Sequence, residues 1–451
     1  MLAATADRPD VPVLSGQERL ARGARASSQP RVVHGERIGM ADAVRRALRD
    51  NPALGASAAQ SGASEEGRLS QMGQFGPSLS MSYTASKQEQ WRNPSSAAAA
   101  TPDLGTYTWK LSVRQSLFTG FRLLAEYQKA ALQAESDRAS LRQAELEKTQ
   151  AVQTAFLKYL YAVENCRSER EALARLRDQL KITRAFYDVG LRPRLDVLQA
   201  EVDVSSAERV LLQTENNRDT YMAELNALLG LDVSSTPLYV GELKHVPFAR
   251  RLEECLEAAY RQRPDVFVAA RSVQIAAKDR ESVRSEYYPQ VEAYYTVSRA
   301  GNTPGLERAG DHGSRSDAWE AGVQATWNMF QWGTTYHADQ KAGLLVSKVR
   351  REEENLRLEV GYTVKTCLLA VREAEKRIAV AETSVAQAQE AYAAALACYQ
   401  EQVGTNFDVL DASSKLLAAQ ASLTSAKADY LTALSKMYVA MGEYRPDLLA
   451  R

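Results

Sequence analysis

The sequence predicts a mainly helical fold with a β-barrel part, written twice in tandem, and three observations carry the prediction. No proline falls between Thr119 and Arg192 or between Trp332 and Arg445, and from Phe121 to Val189 there is no glycine either. As helix, those 69 residues would rise about 100 Å, where an ordinary helix has about 11–12 residues. At an offset of 212 residues the chain resembles itself: Pro52 matches Pro264, Pro77 matches Pro289, Tyr83-Thr84 matches Tyr295-Thr296, Phe118 matches Phe330, Asp196-Val197-Leu198 matches Asp408-Val409-Leu410, and Gly230 matches Gly442. Four short runs, two per copy, alternate apolar and polar residues as half-buried strands do.

Composition narrows the function classes. The 451 residues carry 56 Lys+Arg against 56 Asp+Glu, so the chain lacks the basic excess of a nucleic-acid binder. No apolar stretch approaches the roughly 20 residues of a transmembrane helix. Cys166, Cys255, Cys367 and Cys398 stand far apart with no metal or disulfide spacing, and the four histidines are isolated. No nucleophile elbow, zincin, P-loop or dinucleotide fingerprint lies in a strand-and-turn context. An enzyme is therefore not expected, nor a cofactor or a bound metal.

Taken in order, residues 1–35 hold Arg and Pro without an apolar signal core and read as a disordered lead-in. Repeat 1 covers 36–231, an inter-repeat linker 232–250, repeat 2 251–442, and a tail 443–451. Each repeat opens with a helix pair broken at Asn51-Pro52 or Arg263-Pro264, since a residue before proline leaves the helical region. Strands follow at about 78–86 and 106–117, and at about 290–298 and 317–329. In them Leu79, Met81 and Tyr83, then Tyr107, Trp109, Leu111 and Val113, then Val291, Tyr295 and Val297, then Trp319, Val323 and Trp327 share the apolar parity. The stretches Lys87–Gly105 and Arg299–Ser316 read as loops. Tyr83, Tyr107, Trp109, Tyr295, Trp319 and Trp327 fit the aromatic girdle of a membrane strand.

Long helices then run to turns marked by Gly190 and Gly404, where glycine supplies a left-handed helix end. Between that glycine and the next Asp, copy 2 is two residues shorter than copy 1. In the final helix Leu416, Leu423, Tyr430 and Met437, with Ala419, Ala426, Ala433 and Ala440, form a heptad seam suited to close helix approach. Four strands cannot close a barrel, because about eight are needed, and open edges are not tolerated in lipid. Three chains would supply twelve strands, continuing into a barrel of antiparallel coiled-coil helices.

The pattern resembles the TolC family of trimeric outer-membrane channel-tunnels from Gly35 to Gly442. The resemblance rests on the repeat, on the strand exits Ser116-Leu117-Phe118-Thr119-Gly120 and Asn328-Met329-Phe330, and on Val403-Gly404-Thr405 leading to Asp408-Val409-Leu410-Asp411-Ala412. It implies a homotrimer in outer-membrane lipid with a periplasmic tunnel, docked to a periplasmic adaptor and an inner-membrane ABC or other transporter. Type I secretion of a protein is the expected duty and small-molecule or metal efflux the alternative; a soluble coiled-coil scaffold is more remote. The resemblance also implies a periplasmic gate. Asp196, Asp408 and Asp411 match its acids, and the helix-tip turns hold Gly190, Arg192, Arg194, Gly404 and Thr405. Glu401 stands where the family commonly has Tyr and Asn406 where it commonly has Arg, and a neutral Asn cannot make a charge-assisted bond to Asp196. Asp411, with Asp408, would form a threefold acidic ring, while Asp196 and Asp408 also suit helix capping.

Overall fold

The computed structural model describes residues 32–87, 105–306 and 315–449. Copy 1 comprises β1 (His34–Ile38), α1 (Met40–Asp50), α2 (Pro52–Gly73), β2 (Ser78–Ser86), β3 (Thr106–Phe118), α3 (Arg122–Asp188) and α4 (Arg194–Leu228). Copy 2 answers with β4 (Thr236–Tyr239), α5 (Leu252–Gln262), α6 (Pro264–Arg284), β5 (Gln290–Gly301), β6 (Arg315–Thr326), α7 (Thr334–Gln400) and α8 (Asn406–Ala440). The long helices match in length, 67 residues for α3 and α7 and 35 for α4 and α8. The described residues divide into two compact units, one holding 32–60, 138–268 and 354–449, the other the described parts of 61–137 and 269–353.

The first unit is helical and contains the main core. Phe156, Leu157 and Leu160 of α3, Leu225 of α4, Val360, Val364 and Leu368 of α7, and Tyr430, Leu434 and Met437 of α8 are all buried together. The heptad seam of α8 is buried at Leu416, Ala419, Ala426, Tyr430, Met437 and Ala440, whereas of the matching α4 positions (Val204, Leu211, Arg218 and Leu225, with Ala207, Thr214, Tyr221 and Leu228) only Thr214 and Leu225 are buried. Ion pairs lace α3 to α4 on the wet side: Arg170–Glu215 and Arg177–Glu208, both 2.6 Å, and Arg184–Glu201. Such exposed pairs contribute about 0–1 kcal/mol each, so helix register rests on the apolar seam. Pairing begins inside the stretch expected to be a disordered lead-in. There β1 lies parallel to β4, Val33 N–H donates to Ser235 Oγ at 3.1 Å, and Val33 is buried. The rest of that lead-in, residues 1–31, lies outside the described residues.

The second unit carries one antiparallel sheet in the order β2-β3-β5-β6. Its odd-numbered residues form a single face in register. Leu79 stands opposite Val113, Val113 opposite Tyr295 and Tyr295 opposite Ala321; Met81, Leu111, Val297 and Trp319 form the next row toward the hairpins. The other face is set with Ser80, Ser112, Thr296 and Glu320. Gly322 admits the Tyr294 ring, which a Cβ there would meet at 2.9 Å. Two strands are displaced from expectation. β5 and β6 extend through Arg299–Gly301 and back from Arg315, so the loop narrows to 302–314, of which 307–314 lie outside the described residues, as do 88–104 of the other loop. At its other end β6 stops at Thr326, so Trp327 and Met329 lie past the strand, with Trp327 Nε1 donating to the Tyr287 carbonyl at 3.2 Å.

Both strand-to-helix turns use two consecutive left-handed residues. They are Gly120 (φ 62°) and Phe121 (φ 69°) in copy 1, and Trp332 (φ 50°) and Gly333 (φ 83°) in copy 2. Each copy spends one glycine on the pair, in opposite order, so Phe121 and Trp332 each hold a backbone conformation costing about 1–2 kcal/mol for a residue with a side chain. Just beyond, Asp339 near the start of α7 accepts from both Arg280 Nε (2.7 Å) and Arg284 Nε (3.0 Å) of α6. These bonds hold its carboxyl below the usual range.

Candidate functional site

The turn between α3 and α4 (189–193) and the turn between α7 and α8 (401–405) contain five residues each, so copy 2 carries no two-residue deletion. What differs is the place of the glycine. Gly190 is left-handed with φ 78°, and the matching position in copy 2 is Gln402 with φ 63°. Gly404 does a different job. It donates to the Cys398 carbonyl at 3.0 Å, and a Cβ there would meet the backbone of Cys398 and Tyr399 at 3.3 Å. The expectation that Gly404 supplies the left-handed turn is therefore corrected: it permits close backbone approach, and Gln402 takes the conformation.

Around these turns lies a compact cluster that the sequence did not announce. Tyr399, on the last turn of α7, is fully buried, with its hydroxyl 3.2 Å from Thr183 Oγ1 and its ring 5.7 Å from that of Phe186. Arg192 places its guanidinium 5.1 Å from the centre of the Tyr399 ring and donates to the Gly404 carbonyl at 2.7 Å. Asn406 is buried and accepts from Gln179 Nε2 at 2.8 Å. Neither Gln179 Oε1 nor Asn406 Nδ2 has a hydrogen-bond partner among the described residues. One neutral bond contributes about 1 kcal/mol, and each orphaned buried polar atom costs about 1–3 kcal/mol. The contact therefore holds the two helix pairs together weakly, and opening it would return two unsatisfied amide atoms to water.

The acids fall into separate roles. Asp408 closes a capping box, accepting from Thr405 N at 2.9 Å and from Thr405 Oγ1 at 2.6 Å, while its own N–H donates to Thr405 Oγ1. Those bonds lower its pKa, so the capping contribution is complete above the ordinary Asp value and fades only as pH falls through the lowered one. Asp196 lies in the first turn of α4, whose N-cap is Pro193 without a side-chain cap bond. Asp411 pairs with Lys415 one turn along at 2.6 Å, a cation that sequence reasoning passed over although the i,i+4 spacing was readable. Asn406 meets Gln179, while Glu401 is exposed on its turn and Arg194 is exposed at the start of α4. The buried tyrosine at this helix end is Tyr399, two residues before Glu401.

Among the girdle residues, Tyr83 opposes Trp109 and stacks on Tyr107 near the hairpin end, with ring centres 6.5 Å apart. Tyr295 and Trp319 occupy the middle rows instead, 6.4 Å apart. Leu79 and Met81 each remain 70% exposed, and Trp319 72%, so this apolar face is uncovered among the described residues. Among the described residues no helix is long and apolar enough to cross a membrane, and no group of His, Cys, Asp or Glu is arranged to hold a metal ion.

A family model described as outer membrane efflux protein matches residues 43–231 and 255–443, once per copy. Among solved structures, the fold is similar to the outer membrane protein VceC of Vibrio cholerae (TM-score 0.75, 18% identity, covering 90% of this chain and 96% of that one). It is also similar to the CmeC outer membrane channel of Campylobacter jejuni (0.77, 16%, 89% and 85%) and to the open state of the MtrE outer membrane channel of Neisseria gonorrhoeae (0.73, 19%, 90% and 89%). A search of curated proteins finds no match.

Proposed function

Since the chain belongs to the outer membrane efflux protein family, a family of non-enzymatic outer-membrane channels with a periplasmic helical tunnel that work as trimers in tripartite pumps, we propose that three copies join β2 of one protomer to β6 of the next and so close a twelve-stranded barrel. The observation that carries this reading is the sheet itself, which among the described residues has four strands, two unpaired edges and an uncovered apolar face. Lipid offers no hydrogen bonds to an open edge. A head-to-tail pairing repeated about a threefold axis removes every edge.

At the tip, Val403 (84% exposed), Val189 and Leu191 on the two turns stand with Phe407 (74%) and Leu195 in the first turns of α8 and α4. These apolar groups suit the docking of a helical adaptor, which would bring the pump's transporter to the duct. The cluster around Tyr399 then acts as the closure, and Asp411 as the aperture acid with its charge offset by Lys415. Accordingly Lys415→Gln should strengthen block by divalent cations in single-channel recordings and Asp411→Asn should weaken it. Equal block in both variants would remove Asp411 from the aperture.

For cargo we propose small solutes, because efflux is the duty named by the family that matches both copies. The test is a trimer mass in mild detergent, conductance in a planar bilayer, and dye retention in cells lacking the chain. Raised retention of an ethidium-type dye supports solute efflux. Unchanged retention with loss of an exported protein would replace it with the protein secretion expected from the sequence.

A further inference from the structure

Toward the hairpin end of the sheet, the outward face stops being apolar and becomes charged. Trp109, Arg299 and Asp317 stand opposite one another in register, and Gly301 and Arg315 form the next row. Arg299 Nε donates to Asp317 Oδ1 at 2.7 Å, and Arg315 donates to the same carboxylate from Nη2 at 2.6 Å. Among the described residues two guanidiniums thus share one carboxylate, leaving one net positive charge on a face whose neighbouring rows are Leu79, Met81, Val297 and Trp319. A simple ion pair would have left none. An unbalanced cation bordering hydrocarbon is costly unless an anion meets it, and guanidinium donors match phosphate oxygens in geometry.

The position along the strands identifies the anion's source. β5 follows α6 and β6 leads toward α7, so Arg299 and Arg315 lie at the end of the sheet away from the helices, Arg299 one row beyond the apolar band in the row of Tyr83 and Trp109 and Arg315 in the row after it. Aromatic rings of this kind sit at headgroup level. We propose that Arg299 and Arg315, held in place by Asp317, bind the phosphate of a phosphorylated lipid headgroup in the outer leaflet, one site per protomer. The proposal rests on the reading that this face meets lipid.

Native mass spectrometry of the trimer in neutral detergent, titrated with bisphosphorylated lipid A, tests it. Up to three retained lipids per trimer are expected. Arg299→Gln with Arg315→Gln should lower the affinity about tenfold or more, the effect of losing charge-assisted bonds. Arg114→Gln, on the polar face where Arg114 lies 3.7 Å from Glu292, should leave it unchanged. Equal retention by the double variant, or of dephosphorylated lipid A by the wild type, overturns the proposal. Displacement by millimolar inorganic phosphate, with no advantage to the lipid, overturns the lipid source. If the double variant yields no trimer, the single variants Arg299→Gln and Arg315→Gln decide: each should lower the affinity, and wild-type retention by both overturns the proposal. The same spectrum reports the trimer itself, so failure of the barrel reading is visible separately.

Discussion

Truncating Tyr399 to Ala is expected to open the periplasmic tip and raise the single-channel conductance. The side chain is fully buried, packed on Phe186 and under the Arg192 guanidinium, and bonded to Thr183. Removing a buried aromatic ring of this size costs roughly 3–5 kcal/mol. What remains to join the two turns is the Arg192 bond to the Gly404 carbonyl, since the neighbouring Gln179–Asn406 bond carries two orphaned atoms. Tyr399→Phe keeps the ring and removes only the hydroxyl contact to Thr183, a change of about 1 kcal/mol, and should leave conductance near the wild-type value. Amide hydrogen exchange over 398–408 supplies the second readout: it should accelerate in the Ala variant and not in the Phe variant. Unchanged conductance and exchange in Tyr399→Ala would mean that the closure lies elsewhere.

Gly120→Ala is expected to abolish recovery of a heat-modifiable trimer. Gly120 lies between β3 and α3 with φ 62°, and a Cβ there would meet the Ser285 carbonyl oxygen at 2.5 Å. The left-handed conformation costs about 1–2 kcal/mol, and displacing backbone adds about 1–3 kcal/mol more. Gly190→Asn is the control. Its φ is 78°, yet a Cβ there meets nothing within 4 Å, and Asn tolerates the left-handed region. Trimer yield on a gel run with and without heating should fall for Gly120→Ala and hold for Gly190→Asn. Equal yields would show that the strand-to-helix turn yields more readily than its contacts imply.

The sequence by itself determined the long helices, the doubling and the parity of the strands, because each is a periodic or local property. Absence of proline and glycine over tens of residues permits α3 and α7, and alternation in steps of two places Leu79, Val113 and Tyr295 on one face wherever the sheet lies. Strand ends were less legible. The stretch Arg299–Ser316 reads as a polar loop, yet Arg299 and Arg315 continue β5 and β6, since the cross-strand bonds to Asp317 appear only once the register is known. Only the tertiary structure decided the tip. Gly190 and Gly404 look equivalent in the sequence, but helices of equal length on either side place Gln402 in the left-handed position and press Gly404 against the end of α7. Likewise Tyr399, Gln179 and Asn406 are unremarkable residues more than 200 positions apart in sequence from one helix pair to the other. Their meeting depends on how two helix hairpins pack, and no spacing along the chain encodes a contact that packing alone creates.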